Sequence, residues 1–142
     1  MKRVLWLVSV LTVLVLVGCS GGGNSSTYTL SGSVATPDGA TGIDGKYAYL
    51  KLVQNGGSAS SPALYWTKST PFSGGSATYS VSGIAAGTYT GWAFINMNDS
   101  APSDSSAMPD AGDYATPDGE QISISGDRTL NLDSSAMQQV VD

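Results

Sequence analysis

Five oxygen-bearing side chains crowd one stretch of this 142-residue chain: Asn96, Asn98, Asp99, Asp110 and Asp113. They belong to 96–119, "NMNDSAPSDSSAMPDAGDYATPDG", which also carries Asp104 and Asp118 and no Lys or Arg. Hard cations such as Ca²⁺ gather roughly six to eight oxygens from carboxylates, amides, carbonyls and water. The five residues are therefore the candidate metal set, and Ca²⁺ the candidate cofactor. The alternative is a solvated acidic loop; a connection this long is usually functional or disordered. "NMNDS" lacks the glycine and the later glutamate of an EF-hand loop, so that geometry is not expected.

A second set is aromatic. In 88–97, "TYTGWAFINM", Tyr89, Gly91, Ala93 and Ile95 share one strand face, Trp92 and Phe94 the other. If the first face is core, Trp92 and Phe94 point outward, and Trp66 from a neighbouring strand can join them. Flat outward rings of this kind stack on sugars, which makes Trp66, Trp92 and Phe94 a candidate glycan platform. The competing reading makes them packing residues, the commoner fate of large aromatics.

Catalysis finds no equipment. The chain has no histidine, the usual general base near neutral pH. Zinc triads and Ser-His-Asp nucleophiles are missing with it. No lysine has a serine three positions before it, and the single glutamate is Glu120. A non-enzymatic protein is expected.

The elements that must hold these residues read as strands. Runs rich in β-branched and aromatic residues, bounded by Gly, Pro, Asp, Asn and Ser, occur at 28–36, 46–54, 63–69, 76–82, 88–97, 120–125 and 128–133. Seven such runs at short spacing predict an all-β, antiparallel Greek-key sandwich. Leu30 and Val34 share a face, as do Ala48, Leu50 and Leu52, Tyr79 and Val81, Ile122 and Ile124, and Leu130 and Leu132. "SGDR" reads as a tight hairpin joining the last two runs. The domain is expected at 27–133, with 134–142 as a C-terminal tail frayed by default.

Ahead of the domain, Lys2 and Arg3 precede an apolar run, Val4–Val17, that ends at Gly18-Cys19. A basic start followed by about 7–15 apolar residues is the layout of a secretory signal. A membrane span needs about 20. Residues 1–18 read as a signal peptide, and 19–26 as the cysteine with a flexible Gly/Ser tether. Cys19 is the only cysteine, so no intramolecular disulfide can form.

Leu16-Val17-Gly18-Cys19 resembles the lipobox of bacterial lipoproteins. The resemblance implies a diacylglycerol on the Cys19 thiol, cleavage before it, and a second acylation of the new amino group. Two or more chains, each contributing about 0.8 kcal/mol per buried CH₂, hold a protein on a bilayer. Without it, the reading is ordinary secretory cleavage and a leftover thiol. Ser20, in place of the Asp that retains Gram-negative lipoproteins at the inner membrane, implies the outer membrane.

Residues 19–142 carry Lys46, Lys51, Lys68 and Arg128 against eleven acids, a net charge of −7. That balance excludes nucleic acid as a partner and electrostatic docking on anionic lipid. The partners expected are the membrane through Cys19 and an envelope protein or glycan.

"YTLSGSVATPDG" with "ATYSVSGIAAGTYTGWAF" resembles the carboxypeptidase regulatory-like, transthyretin-type (prealbumin-like) sandwich over about residues 28–133. Independently of the family, Gly83 and Gly87 are expected to supply positive φ at the ends of a short loop, Ile84 to plug the sandwich end and Tyr89 to begin the next strand as a packed aromatic. The second strand, "DGKYAYLKL", lacks that family's usual small-residue start, and an immunoglobulin-like sandwich is the alternative. Lipoproteins that look similar carry an acidic stretch ending "DxGDY", kept here as Asp110–Tyr114, which supports the calcium reading by resemblance.

Overall fold

The computed structural model describes residues 26–98 and 108–142. The signal peptide, Cys19, the tether to residue 25, Asp99 and Asp104 lie outside the described residues. The rest is all-β in two sheets. Each of the seven expected runs contains a strand, the last cut down to two residues: β1 Thr27–Ala35, β2 Tyr47–Gln54, β3 Tyr65–Pro71, β4 Ser76–Ala85, β5 Gly87–Asn96, β7 Glu120–Ile124 and β8 Arg128–Thr129. Two short strands join them, β6 Tyr114–Ala115 and β9 Gln138–Gln139.

One sheet has the order β4-β1-β8, the other β3-β2-β5-β6-β9. β7 lies on β5 beside β6: residues 87–91 of β5 pair with β7, and Phe94 and Ile95 pair with β6. β3 and β4 belong to different sheets but are joined by Gly74-Gly75, both at positive φ (61° and 91°). Only glycine takes that conformation twice without strain, which permits a two-residue turn. Thr67 Oγ1 donates to the Ser80 carbonyl (2.9 Å) and Thr70 Oγ1 accepts from Thr78 N–H (3.0 Å). Those bonds seal the two sheets along that side.

Leu30 and Val34 of β1 and Ala77 and Tyr79 of β4 face Ala48 and Leu52 of β2 and Tyr89, Ala93 and Ile95 of β5. Ile122 and Ile124 of β7 complete the wall. All are under 9% exposed, and each fully buried large side chain contributes roughly 1.5–3 kcal/mol. Ile84 does plug the sandwich, at 0% exposed. The Tyr89 hydroxyl donates to the Ala85 carbonyl (2.8 Å) while Tyr65 accepts from Ala85 N–H (3.0 Å). The two rings meet edge to face at 5.6 Å.

Four expectations are corrected. Gly83 and Gly87 do not bound a loop, because β4 runs on to Ala85. Only Gly83 has positive φ (78°), and it sits in the bulge that shifts register between the Tyr28–Ile84 and Leu30–Val81 pairs. "SGDR" is not a hairpin turn: β7 pairs with β5, whereas β8 pairs parallel to β1. There the chain crosses between sheets, and the Asp127 carboxylate accepts from Thr29 N–H (2.8 Å). The 96–119 connection is not a plain loop, since it carries β6. Nor is the tail frayed. Met137 is 5% exposed, and β9 pairs with β6.

Candidate functional site

Strand alternation puts Tyr49, Lys51 and Val53 of β2 on the face turned away from the core. In register with them on β5 stand Phe94, Trp92 and Thr90. β3 adds Trp66 opposite Lys51 and Lys68 opposite Tyr49. The parity of β5 is thus the expected one: Tyr89, Gly91, Ala93 and Ile95 face the core, Trp92 and Phe94 face out.

Trp66 and Phe94 come together through Tyr49, which the sequence reading had left out. Tyr49 stacks on Trp66 (centroids 5.3 Å, 20° between planes) and on Phe94 (5.3 Å, 22°). Offset stacking of this kind contributes about 0.5–1.5 kcal/mol per pair beyond burial. Lys68 Nζ lies 3.5 Å from the Tyr47 ring centre, a cation–π contact at the end of the row. Tyr49 and Phe94 are each 3% exposed, so the row is a packed layer with Trp66 at its more open end. Trp92 occupies the next rung beside Lys51 and lies beneath Gly119. A Cβ added to Gly119 would stand 2.8 Å from Trp92 Cε2 and Cζ2, so only glycine lets this loop cover the indole.

The acidic set divides. Asp113 is fully buried, and both its oxygens are taken by backbone: Oδ1 accepts from Met97 N–H (2.8 Å) and Oδ2 from Asp110 N–H (3.0 Å). Its own N–H donates to the Asp110 carbonyl, and its carbonyl accepts from Val140 N–H (2.8 Å). The side chain thus ties the end of β5 to the 110–113 turn, and the backbone carbonyl of the same residue holds Val140, just past β9. Asn96 is buried beside that junction; Asn98 and Asp110 are exposed. Asp99 lies outside the described residues. Among the described residues no three His, Cys, Asp or Glu side chains cluster as metal ligands. In chemical terms Asp113 acts as a cap for backbone donors.

The residue that the sequence reading missed is Lys51. It is 4% exposed, in the middle of the outer face, and donates to the Ala59 carbonyl, with Met108 Sδ at 3.9 Å. Burial lowers its pKa from the ordinary lysine value. A signal was present: Lys51 lies between Tyr49 and Val53, so the alternate face of β2 is as apolar as the core face. Lys51 lines a groove of about 370 Å³ whose apolar wall includes Trp92, Phe94, Met108, Pro109, Pro117 and Val141.

Three tyrosines are pushed the other way. Tyr79, whose hydroxyl donates to the Leu130 carbonyl (2.6 Å), is raised to about 12 by burial first, then by Glu120, with Arg128 opposing. Burial chiefly raises Tyr49 and Tyr89 too, helped by Tyr47 and by the hydrogen bond to Tyr65 respectively.

No family model, curated protein or solved structure matches this chain.

Proposed function

We propose that this is a non-catalytic lipoprotein of the bacterial cell envelope, anchored through acylated Cys19, in the outer membrane where there are two. It presents one Greek-key sandwich, related to the transthyretin type, as a structural or adhesive interaction module for another envelope protein. The observation that carries this reading is the order of segments: a basic start, an apolar run, Leu16-Val17-Gly18-Cys19, then a Gly/Ser stretch that ends where β1 begins at Thr27. Seven residues, Ser20–Ser26, reach at most about 25 Å, which keeps the sandwich close to the bilayer yet clear of the headgroups. Support for the non-catalytic part is chemical. The chain has no histidine, and the most strongly buried carboxylate among the described residues, Asp113, is occupied with backbone amides.

Mass spectrometry of the protein extracted from membranes tests the anchor. The expected species begins at Cys19 and carries acyl chains, and Cys19→Ser releases the protein into the soluble fraction. An unmodified thiol or an uncleaved leader overturns the reading. Crosslinking in intact envelopes then tests the partner, with a stoichiometric envelope protein expected.

A further inference from the structure

The outer-face groove combines three features that packing alone does not require. Its floor holds a buried ammonium, Lys51, whose three donors find one carbonyl and a distant thioether among the described residues. Buried charges are ordinarily paired, yet no Asp or Glu lines this groove among the described residues, in a chain with eleven acids. The Trp92 indole N–H, in the same wall, is buried with no acceptor among the described residues. Finally, Met108 and Val141, 43% and 81% exposed, are two of the three large exposed hydrophobics among the described residues, and both line the groove. Exposed apolar side chains gathered at one place mark a binding site more often than scattered ones do.

We propose that this groove binds a small apolar monocarboxylate, its carboxylate neutralised by Lys51 and its hydrocarbon part held between Met108, Val141 and the Trp92–Phe94 wall. One ammonium matches one negative charge. Lys46 and Lys68 line a separate hollow beside Tyr47, so a dianion would go half-compensated here. A neutral ligand would leave Lys51 as it is. The volume suits small molecules, whose sites run from roughly 300 to 1,000 Å³. The inference concerns the sandwich itself and stands apart from the anchor on Cys19.

Octanoate, with 1-octanol as its uncharged counterpart, is the probe for isothermal titration calorimetry on the full chain. Lys51→Met is run alongside, so that partition into detergent cancels. One saturable octanoate site is expected in the parent chain. 1-Octanol should bind at least about tenfold more weakly, and K51M should lose at least about tenfold in octanoate affinity. Absence of saturation below about 10 mM octanoate overturns the proposal, as does equal binding of octanol or equal binding by K51M. Circular dichroism checks the fold of K51M. Should it be unfolded, Val141→Asp replaces it: an acid at the exposed mouth is expected to weaken octanoate at least about threefold, and unchanged affinity overturns the proposal.

Discussion

Asp113 and Lys51 are both charged, both buried and both attached to the same six-stranded sheet, yet they are treated in opposite ways. The corner around Asp113 meets the carboxylate with two backbone N–H groups, while the backbone carbonyl of Asp113 accepts from Val140 N–H. The groove around Lys51 supplies the ammonium with one carbonyl and leaves an apolar opening beside it. A buried charge whose hydrogen bonds are complete works as a structural tie. One left short of partners carries a desolvation cost that a ligand can offset. Two buried charged groups thus divide into architecture and candidate function by their hydrogen-bond partners, a division that burial by itself does not make.

Asp113→Ala is expected to show the largest effect. It strands the Met97 and Asp110 amides in a buried corner, at about 3 kcal/mol or more by urea denaturation. A loss below about 1 kcal/mol would mean that the corner holds without its carboxylate. Tyr79 gives a third kind of buried ionisable group, one used in its neutral form. With its pKa raised from 10.0 to about 12 in the fold, its contribution is complete below pH 10 and is lost as pH climbs through 12. Up to about 3 kcal/mol should vanish across that window, and Tyr79→Phe should flatten the profile. Lys51 has the opposite sign. The fold disfavours its ammonium, so its penalty fades as pH rises toward 10.5. Lys51→Met removes that penalty at neutral pH and is expected to raise stability by about 1–2 kcal/mol, read as a higher urea midpoint. A clear destabilisation would place Lys51 with Asp113 as a tie. The smallest effect is reserved for Ca²⁺. With Asp113 committed to amides, about 5 mM Ca²⁺ should move the melting temperature by less than about 1 °C, and a larger rise would make the acidic segment a cation site.

Much of the sandwich could be read directly from the chain. Period-2 alternation in "TLSGSV", "ATYSV" and "EQISI", with glycine-rich turns between, marks strands that are wet on one side. The outer face of β2 was harder, because "YAYLKLV" places apolar residues on both parities, and only tertiary packing shows that Tyr49 and Val53 are as buried as Ala48 and Leu52. β6 and β9 are two residues each and lie among Asp, Pro, Ser and Gln, where no period can be seen. "SGDR" has the composition of a hairpin turn, but which sheet receives the next strand depends on edges that form far away in sequence. Asp113 was legible as an acid, but its partners were not. A carboxylate that caps amides and one that ligates a cation are the same residue, and local sequence reports the charge without its partner. Lys51 was passed over since lysines on alternating strands are usually solvated.

The chain enters the sandwich on a strand that is flanked on both sides. β1 is central in its sheet, zipped to β4 from Thr27 to Ala35 and bonded to β8 and Leu132 along its other edge. A pull applied at Thr27 along this strand would load both ladders in shear, with many hydrogen bonds resisting together instead of rupturing one after another. Under the proposed anchor on Cys19, this topology would give the module its mechanical strength at the point where tension arrives.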